Sequence, residues 1–222
     1  MENIDCENYA WSTHQPLLHT VLEFFEPKFI VELGIGLYST PIFSNYKSAQ
    51  LVSIENDKEW IEYISKKLNL EYKIIFHDIG PDLDKTSFVK DMTQDQKRKI
   101  KDYYINFKNQ YMYTYLSPKL LFVDNYTCCR TIAINTLYSS FDIIIYHDAE
   151  GVEWYEYYFD KDIKNKYNNY ILKTDRSTTG CFIKKTFKYE EIDLQKNIWP
   201  HILKYCKDNN ANLAATYLQK EL

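Results

Sequence analysis

Glycine is scarce in this chain: only five residues of 222 are glycine, two of them at Gly34 and Gly36. Cysteine is equally sparse, and Cys6, Cys128, Cys129, Cys181 and Cys206 are odd in number, scattered and without Cys-x-x-Cys spacing. That pattern argues against a structural zinc site and a disulfide framework, and predicts buried free thiols. No apolar run approaches the length that spans a bilayer, and the acidic start Met1-Glu2-Asn3-Ile4-Asp5 lacks the basic region of a secretory leader. The expectation is a cytoplasmic protein without a membrane partner. Positive charge is not in excess either: the net charge of −4 gives no general attraction to nucleic acid. Internal repeats and low-complexity linkers are also missing.

What is present is a globular composition, 45% hydrophobic and 26% charged, in a length that one sizeable core can serve. A single domain over residues 1–222 is expected. Its organising stretch is Phe29-Ile30-Val31-Glu32-Leu33-Gly34-Ile35-Gly36-Leu37-Tyr38-Ser39-Thr40, an apolar run, an acid, two glycines and a helix-like segment. The order reads as strand, tight turn, helix, with glycines where the backbone must turn sharply and a ligand can lie against it.

Upstream, Leu17, Leu18, Val21, Leu22 and Phe25 recur at helical spacing, after a Ser12-Thr13-His14-Gln15-Pro16 entry and before Pro27. Downstream, Thr40-Pro41-Ile42-Phe43 opens a short helix, Leu51-Val52-Ser53-Ile54 is a second apolar run ending at Glu55, and residues 58–68 are helical in period. Residues 72–76 form a third strand ending at His77-Asp78. Strands alternating with helices predict a parallel doubly wound sheet, whose ligands lie at the carboxyl ends of its strands. Glu32, Gly34, Gly36, Glu55 and Asp78 would converge there. Residues 82–117 interrupt the pattern as an insertion or lid, with one amphipathic helix from about Gln94 to Tyr113. Residues 120–124 and 141–148 give strands four and five, each apolar and ending at a carboxylate. Residues 170–173 and 181–184 read as an antiparallel hairpin at the sheet edge, with turn residues Asp175 to Gly180 between them. The tail, 193–222, is expected to be helical.

With these residues in place, the chain resembles the class I S-adenosylmethionine-dependent methyltransferases over roughly residues 10–187. The likeness rests on Val31-Glu32-Leu33-Gly34-Ile35-Gly36, on Val52-Ser53-Ile54-Glu55 and on the acids that end the later strands. It implies an α/β fold, a doubly wound Rossmann-like seven-stranded mostly parallel sheet with an antiparallel C-terminal hairpin. It also implies S-adenosylmethionine as cofactor, held by Glu32, Gly34, Gly36, Glu55, His77 and Asp78. Glu55 would accept both ribose hydroxyls, as a carboxylate is able to do. Tyr38 stands where a dinucleotide-binding turn has its third glycine, which favours the methyltransferase over a nicotinamide-binding domain.

The resemblance extends to metal-dependent O-methyltransferases, in which acids after strands four and five hold magnesium. Asp124 and Asp148 occupy those ends, beside His147 and Glu150. Without a metal, His147 is the general base and Asp148 its orienter, so Asp124, His147 and Asp148 are the expected catalytic set under either mechanism. The same acids read structurally would cap helices or solvate loops. Arg130 would pair with a substrate carboxylate or with Asp124. His14 would close over the cofactor or, more simply, be a surface or satisfied histidine. The Trp154, Tyr155, Tyr157, Tyr158 and Phe159 group would dock a substrate or serve packing. The implied reaction is O-methylation of a small-molecule or glycan hydroxyl, with nucleic acid a poorer acceptor and self-association of the chain left open. Cleavage of S-adenosylmethionine and a non-catalytic binding or assembly module are the alternatives.

Overall fold

The computed structural model describes residues 13–85, 87–112, 115–149, 159–173, 177–186, 198–208 and 217–221. Eight strands form one sheet: β1 (Phe29–Leu33), β2 (Gln50–Glu55), β3 (Ile75–Phe76), β4 (Lys119–Val123), β5 (Ile143–Tyr146), β6 (Tyr167–Lys173), β7 (Thr178–Lys184) and β8 (Tyr217–Glu221). Their spatial order is β3-β2-β1-β4-β5-β7-β6-β8. The first five run parallel, β7 lies antiparallel to β5, and β6 and β8 continue antiparallel. The direction of winding reverses between β1 and β4, which is where an open sheet of this kind leaves its ligand crevice.

Two helical layers sandwich the sheet because successive strand residues face opposite sides. Val31, Leu33, Leu121, Val123 and Ile144 join one core, whereas Ile30, Leu120, Phe122, Ile143 and Ile145 join the other. On the second side lies α1 (Gln15–Phe25), which buries Leu17, Leu18, Val21, Leu22 and Phe25 and ends at Glu26 in a left-handed conformation. The short α2 (Thr40–Asn45) adds Phe43. The helix α3 (Lys58–Leu68) buries Ile64 against Ile35 and Ile74 and begins at Asp57, whose side chain accepts the Trp60 N–H.

On the first side lie α4 (Gln94–Tyr111) and α5 (Thr127–Leu137). A capping box between Thr93 and Gln96 starts α4, and its Ile100, Tyr104 and Phe107 are buried with the β4 and α5 side chains. This helix is therefore a wall of the core, and its packing is not that of a detached flap. The remaining α-helices among the described residues are α6 (Lys161–Lys166) and α7 (Trp199–Asp208), the latter packed on α1.

Three expectations change. The region 193–222 is helical only over α7 among its described residues, since β8 adds an eighth strand on β6. The β6–β7 pair consequently lies inside the sheet and does not end it. Gly180 sits within β7, not in a turn, because a Cβ there would lie 2.0 Å from the Tyr146 ring that crosses it. Cys128, Cys129 and Cys181 are buried free thiols as expected. No helix among the described residues is long and apolar enough to cross a membrane. Glu150 and the 154–158 aromatics lie outside the described residues, while Phe159 packs on Tyr146 and Phe182.

Candidate functional site

The turn after β1 contains two glycines with different duties. Gly34 has φ +87°, and a Cβ on it would meet the Asp124 carbonyl oxygen at 2.3 Å. Its small size lets the ends of β1 and β4 touch, so the requirement comes from the protein's own backbone. Gly36 is unlike it: a Cβ there would meet only the Ser39 hydroxyl, at 3.6 Å. The room beside Gly36 is what a ligand approaching the main chain would use. Glu32, expected at the cofactor, is wholly buried and accepts hydrogen bonds from Ser39, Thr40 and Ser53 hydroxyls at 2.7–2.9 Å. It fixes β1, β2 and the start of α2 to one another and presents no surface to a ligand. Burial lifts its pKa to about 7 against those three hydroxyls.

Glu55, at the end of β2, is also turned inward. Its Oε1 accepts the Asn56 and Asp57 N–H groups at 2.6 and 3.1 Å, and its Oε2 accepts the Ile35 N–H at 3.0 Å. Three of four lone-pair positions are thus used, so one ribose hydroxyl can be accepted at Oε2 where the resemblance implied two. Burial raises this carboxyl to about 7 despite the amides. Beside it, Asn56 Oδ1 is buried with no partner among the described residues, while its Nδ2 donates to the His77 carbonyl at 3.1 Å.

His77 follows β3, buried, with its ring stacked on Tyr103 of α4 at a centroid distance of 3.5 Å and with no partner for Nδ1 among the described residues. Burial holds it neutral, its pKa lowered to about 4. Asp78 is exposed and accepts the Gly80 N–H at 2.9 Å through Oδ1. Tyr126 completes this edge by donating to Asp57 Oδ2 at 3.2 Å. The expected cofactor residues therefore do converge at the ends of β1 to β3, with Glu32 set behind the turn. Gly36, Glu55 Oε2 and Asp78 offer open backbone and acceptors that fit a nucleoside with hydroxyl and amino donors.

The ends of β4 and β5 are charged. Arg130, buried in the first turns of α5, donates to Asp124 Oδ1 and to Asp148 Oδ2, each at 2.9 Å, and to the Asn125 carbonyl at 2.7 Å. His147 Nδ1 lies 3.4 Å from Asp124 Oδ1 and 3.2 Å from Asp148 Oδ1, and its Nε2 meets Thr13 Oγ1 at 3.1 Å and Ser177 Oγ at 3.4 Å. Asp148 adopts φ +54°, a left-handed conformation that aspartate tolerates and that aims its carboxylate back at this group. Burial opposes charge on all of them. The carboxylates nevertheless hold His147 up at about 10, and the imidazolium with Arg130 holds Asp124 and Asp148 below the usual carboxylate range. Two cations thus balance two anions.

Two consequences correct the sequence reading. Magnesium does not fit between Asp124 and Asp148, because the Arg130 guanidinium already bridges them and a hard oxygen-seeking cation would have to displace it. His147 is placed against Asp148 as expected, yet it holds its proton near neutrality and enters any proton transfer from the charged form. His14 differs from expectation as well: it is buried, not at the surface, and neither ring nitrogen has a partner among the described residues. The role of Arg130 as a bridge of both acids was missed, although its place six residues after Asp124 had suggested half of it.

This sheet order, glycine turn and set of acidic strand ends define the class I methyltransferase fold. Among solved structures the chain is similar to a methyltransferase-like protein from Silicibacter pomeroyi, at 14% identity and a TM-score of 0.50 over 88% of this chain and 94% of that one. It is similar also to a protein assigned as a caffeoyl-CoA O-methyltransferase from Staphylococcus aureus, at 11% identity and a TM-score of 0.50 over 82% and 92%. No family model and no curated protein sequence matches it.

Proposed function

We propose that the protein is an S-adenosylmethionine-dependent methyltransferase that transfers the methyl group to a hydroxyl of a small molecule or glycan. The observation that carries this reading is the open backbone at Gly36 beside Glu55, whose Oε2 keeps an unused acceptor position, at the switch point of the fold. A carboxyl oxygen with a spare lone pair next to open main chain is what a ribose hydroxyl and the chain attached to it require. S-adenosylmethionine, when bound, supplies an electrophilic methyl group on a sulfonium. Glu55 Oε2 accepts a ribose hydroxyl, Gly36 leaves room for the chain of the ligand, and Asp78 faces the base edge. Asp124, His147 and Asp148 are the catalytic set at the neighbouring strand ends, where an acceptor hydroxyl must lose its proton as methylation proceeds. Because His147 is charged in the free protein, turnover rises with pH as that proton is lost.

The test is incubation with S-adenosylmethionine and a panel of hydroxyl compounds, followed by chromatography of nucleosides and acceptors. The reading expects S-adenosylhomocysteine to form in step with a methylated hydroxyl. Methylthioadenosine and homoserine lactone appearing without an acceptor would replace it with cleavage, and no cofactor binding at all would favour an assembly module.

A further inference from the structure

His14 is the least satisfied polar side chain of this site. It stands at the N-terminal end of α1, its ring edge-on to that of His147 at 4.8 Å between centroids, and both of its nitrogens are buried without a partner among the described residues. A neutral imidazole carries one donor and one acceptor, so leaving both unmade costs on the order of 1–3 kcal/mol for each. Phe122 packs against the ring but offers no polar atom. One donor atom each from His14, Asp124 and His147 lies within 4.8 Å of the other two. Hydrogen bonds to Asp124 fall on Oδ1, and none reaches its Oδ2 among the described residues.

We propose that His14, Asp124 and His147 form a binding site for a divalent cation of borderline softness, such as zinc, with open coordination positions for an oxygen ligand. Two imidazoles and one carboxylate are the donor set that suits zinc or iron(II), and they disfavour magnesium, which seeks oxygen alone. His147 ligates as the neutral imidazole, so the ion displaces the proton that this ring carries in the free protein and releases it to solvent. Zinc with donors about 2.0–2.2 Å away needs them about 3.3–3.6 Å apart across a tetrahedron. The triangle must therefore close by roughly an ångström as the ion binds. Arg130 need not move, since it holds Asp124 through Oδ1 and leaves Oδ2 to the ion. The three ligands come from α1, the end of β4 and the end of β5, so the ion would tie the N-terminal helix to the sheet at the crevice. An acceptor hydroxyl reaching an open position would be polarised there. The site stands apart from the nucleoside-binding residues, and its failure is separable from failure of the methyltransferase reading.

The test uses the full chain stripped with chelator and titrated calorimetrically with zinc chloride, then with magnesium chloride, with no cofactor added. One zinc per chain is expected, with no comparable magnesium uptake. His14→Ala should weaken zinc binding by more than roughly tenfold, as the loss of a ligand exceeds that of an outer partner. Zinc uptake by His14→Ala at wild-type affinity overturns the proposal, as does an absence of zinc binding by the wild type. Should His14→Ala not fold, as circular dichroism would show, cobalt(II) added to the stripped wild type decides: visible bands of a four- or five-coordinate nitrogen-ligated ion support the site, and the spectrum of hexaaqua cobalt refutes it.

Discussion

The two halves of the crevice hold acids of the same kind in opposite electrostatic settings. At the ends of β1 and β2, Glu32 and Glu55 are buried among hydroxyls and amides, no cation among the described residues pairs with them, and both are pushed up to about 7. At the ends of β4 and β5, Asp124 and Asp148 are bridged by Arg130 and faced by His147, and both are pulled down. Burial acts the same way in each half, so the partners make the difference. A neutral, donor-hungry half suits a ligand rich in hydroxyl and amino groups. A half already balanced in charge suits proton handling and gains little from another hard cation.

The comparison breaks most visibly if its charge balance is removed. Arg130→Met leaves two carboxylates buried without their bridge and should destabilise the fold by about 3–5 kcal/mol, read from urea denaturation. A loss below about 1 kcal/mol would mean that His147 and water suffice. The glycines sharpen the contrast next. Gly34→Ala should cost at least about 2 kcal/mol, because its φ is positive and its Cβ would strike the Asp124 backbone. Gly36→Ala should change stability by no more than about 0.5 kcal/mol while weakening cofactor binding. Equal thermal stability of the two variants would show that the turn has no such division.

Smaller effects come from pH. His147 has a folded pKa of about 10, above its ordinary 6.5, so its stabilisation is complete below about 6.5 and is lost as pH rises through 10. The melting temperature of metal-stripped protein should fall between pH 7 and 10, and His147→Gln should flatten that slope. Glu32, raised to about 7 from 4.5, behaves in the same sense at lower pH: its contribution is greatest below 4.5 and is lost as pH rises through 7. Glu32→Gln should remove that part of the profile, and an unchanged profile would place the titration elsewhere.

Much of the frame was legible because it depends on local pattern. The helix over Lys58–Leu68 follows from period, and the strand ends follow from apolar runs that stop at acids. The partners of those acids were not legible, since they depend on how the turns after the strands fold and on chain further away. Glu55 looks in sequence like a free ribose acceptor, and only the folding back of the Asn56 and Asp57 amides and the approach of the Ile35 amide show that most of its capacity is used. Gly180 looks like a turn residue because the Tyr146 ring that needs its space is 34 positions earlier in the chain. His14 was legible as a residue near the crevice but not as an isolated one, because its isolation arises where the start of α1 meets Phe122 and His147. Arg130 gave half of one: spacing pointed to Asp124, but its second bond depends on the left-handed turn at Asp148.

The most direct test of the account is calorimetric titration of S-adenosylhomocysteine into the metal-stripped wild type and into Glu55→Ala. One site per chain is predicted for the wild type, with affinity lost by on the order of tenfold in the variant, as expected for removal of a buried hydrogen-bond acceptor. Equal affinity in both proteins, or no binding to the wild type, would contradict the placement of the cofactor at the ends of β1 to β3.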